Sequence, residues 1–142
     1  MKKTLAAALL AAALVLAPTA ASSAAPKIDF DFTRFSATMV YAQVFDMLIS
    51  PERYDGKVIR MKGTFEVFEY EEGGVLHRSF ACVVRDSTAC CVQGMEFALA
   101  GEARYPDDYP STGSDIIITG RYKKEIIDGL IYTKLVDCAI SK

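Results

Sequence analysis

The chain holds a single histidine, His77, and that scarcity excludes a metal site built on several imidazoles. It also lacks the signatures of common catalytic machinery: no Gly-x-Ser-x-Gly elbow, no phosphate-binding P-loop, no HExxH helix and no Cys-x-x-Cys pair occurs. No EF-hand spacing is present for calcium. Basic residues are not in excess and do not cluster beyond Arg121 to Lys124, which is faced by Glu125 and Asp128, so the counterion release that drives nucleic-acid binding has no footprint here. After the first two dozen residues no apolar run approaches the roughly 20 residues a membrane helix needs.

What is present begins with an N-terminal address. Lys2 and Lys3 precede an apolar stretch from Leu5 to Ala17, too short to span a bilayer comfortably, and small residues follow at Thr19/Ala21 or Ser22/Ala24, as signal peptidase requires. No cysteine follows to take a lipid. Residues 1–24 therefore read as a signal peptide and residues 25–142 as one extracytoplasmic domain, secreted or held in the cell envelope, without a membrane span after cleavage. Cleavage would remove Lys2 and Lys3, leaving 14 of the 16 basic residues against all 18 acidic ones, a net charge of about −4. A chain of that length builds one core, not two.

The mature segment opens with Lys27 to Arg34, aromatic and polar by turns, which reads as extended or loose. Val40, Val44, Met47 and Leu48 then form a helical apolar stripe that Ser36 or Thr38 can cap, ending near Ser50. Pro51 suits the first position of a further short turn through Gly56. From Lys57 the period changes to two. Ile59, Met61, Phe65 and Val67 form the core face of a first strand, with Gly63 marking a bend or bulge.

A turn at Glu71 to Gly74 leads to a second strand carrying Phe80, Cys82 and Val84 on one parity. A reversal at Asp86-Ser87 leads to a third with Cys91, Met95, Phe97 and Leu99 on one side. After a loop from Gly101 to Ser114, Ile116 to Ile118 begin a fourth strand, and Asp128-Gly129 supplies the positive-φ pair of a type I′ turn into the fifth. The expected fold is mainly β: a five-stranded, OB-like antiparallel barrel preceded by one α-helix, without the usual helix between strands three and four.

Three of the four cysteines lie between Phe80 and Phe97. A two-residue turn at Asp86-Ser87 would set Cys82 opposite Cys91 on the core-facing side, at a separation that suits a disulfide or two ligands of one metal. Cys90 would point the other way, and it could share an ion with Cys91 only if a bulge or turn breaks the strand. Three readings stay open: a Cys82–Cys91 disulfide or thiols buried as small hydrophobes, a thiolate-rich site for a soft metal such as Zn²⁺ or Cu(I), and thiol redox chemistry, for which nothing nearby lowers a thiol pKa. Cys138 falls opposite Thr119 on a mixed face that a bulge could turn inward.

His77, on the parity opposite Cys82, reads as a solvated strand residue. Asp107 and Asp108 read as a solvated loop, and Glu69, Glu71 and Glu72 as acids around a glycine turn with no pocket implied.

The stretch Asp86-Ser-Thr-Ala-Cys-Cys-Val-Gln-Gly-Met-Glu-Phe97, with Tyr105-Pro-Asp-Asp-Tyr-Pro110 and Ile118-Thr-Gly-Arg-Tyr122, resembles small uncharacterised exported proteins of Gram-positive bacteria with an OB-like domain, over most of the mature chain. It is more distantly similar to the OB-like C-terminal domain of the two-component membrane permease complex subunit family, where neighbouring cysteines sit beside an aspartate after a strand. That second likeness covers little of the chain, and its cysteine order differs. The resemblance implies a binding or accessory subunit near an envelope transport system, concerned with metal, and brings no catalytic residue with it.

The leading expectation is accordingly a non-enzymatic exported binding module with Cys82, Cys90 and Cys91 as metal ligands, zinc as the ion and Cys138 as a fourth ligand; its partners are a metal ion or a membrane-associated protein, and not nucleic acid. The runner-up is a disulfide-stapled interaction domain without metal, with the Tyr105 to Tyr109 loop contacting a membrane partner. A thiol oxidoreductase is the least supported.

Overall fold

A computed structural model describes residues 26–141, so the signal-peptide segment 1–24 lies outside the described residues. The fold is mainly β, with one α-helix and a six-stranded sheet. Helix α1, Ala37–Ile49, is capped by Ser36, whose hydroxyl accepts the Met39 N–H at 3.4 Å, and it closes with the Ser50 N–H donating to the Asp46 carbonyl at 2.8 Å. Pro51 opens a single 3-10 turn, Pro51–Arg53, as its fixed φ favours. Val40, Val44 and Met47 bury the predicted stripe. The buried Tyr122 hydroxyl donates to the Met47 carbonyl at 2.5 Å, tying the helix to the sheet.

Strand β1 is Phe30–Asp31, and it pairs in parallel with β2, Val58–Glu72. The expectation of five strands is corrected to six by this short piece. Its two residues are too few to show alternation, and Phe30 is held by aromatic packing on Tyr54, with ring centroids 5.1 Å apart. The remaining strands are β3, Val75–Arg85; β4, Val92–Leu99; β5, Asp115–Ile127; and β6, Leu130–Ser141. Pairing runs from β2 to β3, β4, β6 and β5, and β5 pairs with β2 again.

The expected purely antiparallel arrangement is also corrected: β4 and β6 run parallel. A parallel pair needs a crossover, and the loop after Leu99 together with the whole of β5 supplies it. Alternating apolar residues show which face of a strand is buried but carry no information on its direction.

Strand β2 is long because it serves two neighbours. Val58 to Thr64 pair with β5, and Thr64 to Glu72 pair with β3. The exchange falls at Gly63, where a Cβ would stand 2.5 Å from the Val83 carbonyl oxygen and 2.6 Å from Cys82 Sγ, so the residue at this bend must lack a side chain. Ile59, Met61 and Phe65 are fully buried, and so are Met95, Ile118 and Leu135 on the strands they face. At the far hairpin Ile127 pairs with Leu130 across Asp128 and Gly129, both at positive φ, as the I′ turn demands.

The loop before β5 is part of the packing. Tyr109 stacks on Phe80 at 4.2 Å and on Phe65 at 5.8 Å, and the Arg104 N–H donates to the Asp108 carboxylate at 2.7 Å. Asp108 thus closes its own turn, which leaves the loop's tyrosines to cover the core.

Candidate metal centre

The site is a consequence of one turn. Arg85 pairs with Val92, so six residues, Asp86 to Cys91, lie outside the ladder between β3 and β4. The Asp86 N–H donates to the Cys91 carbonyl at 3.2 Å and the Ala89 N–H to the Asp86 carbonyl at 3.0 Å, with Ala89 at φ 54°. These bonds turn the chain back on itself. Side chains of adjacent residues diverge on a strand, but here the strand is interrupted, and Cys90 Sγ and Cys91 Sγ lie 3.5 Å apart.

Asp86 completes the cluster. One carboxylate oxygen lies 3.6 Å from Cys90 Sγ, and the other accepts the Cys91 N–H at 3.5 Å. The Thr88 hydroxyl stands 3.0 Å from each carboxylate oxygen and 3.0 Å from Cys90 Sγ, holding the acid in place. Ligand atoms of Asp86, Cys90 and Cys91 lie within 4.8 Å of one another, and among the described residues no other group of three or more His, Cys, Asp or Glu side chains converges in this way.

Partial burial pushes the Asp86 carboxyl up, but hydrogen bonds from Thr88, the Cys91 N–H and Cys90 outweigh it and hold the group below its ordinary value. The Cys91 thiol is raised, chiefly by Cys90 beside it, with Asp86 adding to the effect and the Tyr41 hydroxyl opposing it. Tyr41 in turn accepts a bond from Gln93 Nε2 at 3.4 Å, linking α1 to the start of β4. The shift at Cys91 runs opposite to the low-pKa thiolate that nucleophilic thiol chemistry needs.

The predicted cross-strand pairing of Cys82 with Cys91 is corrected. Cys82 faces Phe65 on one side and Met95 on the other, and it is fully buried, whereas Cys91 is exposed in the loop. The real turn is four residues longer than the assumed one. An even slip preserves the parity of a strand, so Met95 and Phe97 still enter the core while the partner of Cys82 changes.

Cys138 is likewise shifted: Ala139, not Cys138, faces Thr119, and β6 places both Asp137 and Cys138 opposite Gly120 in a bulge. Asp137 takes φ 52°, and Cys138 turns inward to 2% exposure. Burial raises the Cys82 and Cys138 thiols to about 12 each. All four cysteines are free thiols in this structure. The structure brings Cys90 and Cys91 together and keeps Cys82 and Cys138 in the core, apart from that group.

His77 stacks on its cross-strand neighbour Tyr70 at 5.2 Å, and Glu69 bonds Arg78 at 2.5 Å, so neither joins the site. Asp86 is the member of this cluster that strand parity conceals, since in the sequence it reads only as the start of a turn. Its signal in the sequence was an aspartate four residues before a vicinal cysteine pair, with a threonine between.

Comparison of the chain with known protein families, with curated proteins and with solved structures finds no match.

Proposed function

We propose that this protein is an exported, non-enzymatic binding module whose Asp86–Cys91 loop holds a soft metal ion, zinc, on an OB-like barrel. The observation that carries the reading is the separation of the two exposed sulfurs. Two thiolates each ~2.3 Å from a tetrahedral zinc stand roughly 3.8 Å apart, close to the 3.5 Å between Cys90 Sγ and Cys91 Sγ and far from the ~2 Å of a disulfide. Asp86 offers an oxygen on the same side, and a three-ligand set leaves one position for water or for a donor from a partner.

The barrel reading is supported by the pairing order. A first long strand pairs with both the second and the fourth, and the third lies parallel to the fifth when the short β1 is set aside, which is the arrangement of a small Greek-key barrel. Among the described residues no helix is long and apolar enough to cross a membrane. Export rests on the basic, apolar and small-residue order of the first 24 residues, and an accessory role at an envelope transporter rests on the resemblance alone.

Elemental analysis after zinc loading and gel filtration tests the metal assignment. One zinc per chain is expected in the parent and in Cys82→Ala, with loss in Cys90→Ser and in Cys91→Ser. Retention of zinc by both serine variants contradicts it.

A further inference from the structure

The turn that gathers Cys90 and Cys91 also sets their sulfurs within reach of each other. On a regular strand adjacent side chains diverge, and a bond between neighbouring cysteines is out of reach. In the Asp86–Cys91 loop Cys90 Sγ and Cys91 Sγ are 3.5 Å apart, about 1.5 Å beyond the ~2.0 Å of an S–S bond. Closing that gap breaks no strand pairing, because the ladder between β3 and β4 ends at the Arg85–Val92 pair. Both thiols are exposed, so a small reagent in solvent can meet either sulfur.

The other two cysteines stand outside this reaction. Cys82 and Cys138 are buried, each packed where a side chain on Gly63 or Gly120 would project, so a reagent in solvent reaches neither. Oxidation is thereby confined to the exposed pair, and an oxidant that engages one of its sulfurs leaves the second already beside the bond. Such proximity makes closure of the pair far faster than capture of a second molecule.

We infer that Cys90 and Cys91 are a reversible dithiol–disulfide switch that gates the metal loop, with low-molecular-weight disulfides as the oxidant; the inference rests on the metal assignment above. One cysteine, as thiolate, attacks a reagent RSSR, forms a mixed disulfide and expels RS⁻, which takes up the proton that cysteine released. The second thiolate then attacks the protein sulfur of the mixed disulfide. The Cys90–Cys91 bond forms, and a second RS⁻ leaves and takes up the second proton. The protein loses two electrons and two protons, and RSSR gains them as two RSH. Neither sulfur is then a thiolate, so Asp86 alone is left of the ligand set and zinc is not held. Exposed, strained disulfides are the readily reduced ones, which makes the step reversible. A switch reacts once per oxidation and needs no low-pKa thiolate, since intrinsic nucleophilicity falls as a thiol's pKa falls.

Incubation of the zinc-free protein with oxidised glutathione at mildly alkaline pH, followed by denaturation, alkylation and mass measurement, tests the inference. Two of the four cysteines should escape alkylation, peptide mapping should place the bond between Cys90 and Cys91, and no glutathione should stay attached. Dithiothreitol should restore both thiols and zinc uptake. In Cys90→Ser and in Cys91→Ser the remaining sulfur has no neighbour to displace the reagent, so a stable glutathione adduct is expected on it. Saturating zinc should slow oxidation of the parent by about tenfold or more, since ligation occupies the attacking sulfurs.

Thiols that stay unchanged, a glutathione adduct that persists in the parent, or a disulfide that involves Cys82 or Cys138 overturns the switch. So does an oxidised protein that still takes up zinc, or an oxidation rate that zinc leaves unaltered. Each of these leaves zinc uptake by the reduced protein intact. If the reduced protein takes up no zinc, the metal assignment falls and its gate with it, even where the mass shows the bond closed. Zinc uptake before oxidation therefore tells the two failures apart.

Discussion

Cys138 Sγ occupies the space into which a side chain on Gly120 would project. The β6 bulge presses the thiol against a bare stretch of β5, and a Cβ there would also stand 3.0 Å from the Val136 carbonyl oxygen. Gly63 and Cys82 repeat the arrangement on β2 and β3. Each buried thiol is thus matched to a glycine on a neighbouring strand, which gives Cys82 and Cys138 a packing role that the exposed Cys90 and Cys91 do not share.

Gly120→Ala should destabilise the fold by about 1 to 3 kcal/mol, the usual cost of forcing an extra carbon into a filled core. Part of that loss should return in Gly120→Ala/Cys138→Ala, since a side chain makes the tightest contact. Gly63→Ala differs, because its new carbon meets the Val83 backbone oxygen at 2.5 Å, and Cys82→Ala should give little relief. Urea unfolding of the two cycles checks this; equal rescue in both would contradict the geometry.

Thiol counting should separate the cysteines two and two. Cys90 and Cys91 are exposed and should react promptly with an aromatic disulfide reagent in the native protein, while Cys82 and Cys138 should react only at the rate at which the fold opens. Four thiols titrating in a single native phase would contradict the burial.

Alkaline pH should weaken the fold. The Cys82 and Cys138 thiols rise from about 9 to about 12 on folding, so the native state keeps protons that the unfolded chain has already lost. Their contribution is complete below about pH 9 and is lost as the pH climbs toward 12, and Tyr54, also raised to about 12, acts in the same direction from its own ordinary value of 10. Unfolding free energy measured across that window should fall, and the fall should be shallower in Cys82→Ala than in the parent.

How far the sequence was legible follows from which signals are local. The helix cap at Ser36, the Pro51 turn, the Asp128-Gly129 hairpin and the core face of β2 are set by neighbours in sequence, and all are found as expected. Strand direction, the pairing of Phe30–Asp31 and the length of the Asp86–Cys91 loop depend on distant partners, and those expectations shifted. For the site, Cys90 and Cys91 were visible as a vicinal pair needing a break in the strand. Cys82 appeared to join them because an assumed two-residue turn fixed a register that the actual loop moves by four residues. Asp86 could be recognised only once that loop was seen to fold back over it.

Metal uptake should release protons. Cys91 is held above its ordinary value chiefly by Cys90, so its thiol keeps its proton near neutrality and must lose it to ligate. If two protons leave, apparent zinc affinity should rise roughly 100-fold per pH unit below the thiol range. Competition titrations at several pH values read that slope, and a pH-independent affinity would exclude thiolate ligation.

X-ray absorption at the zinc edge of the loaded protein tests the central claim most directly. Two sulfur neighbours near ~2.3 Å, with oxygen or nitrogen near ~2.0 Å completing the shell, are the result expected of Cys90, Cys91 and Asp86. A shell without sulfur, or one of four sulfurs that would draw Cys82 and Cys138 out of the core, contradicts it.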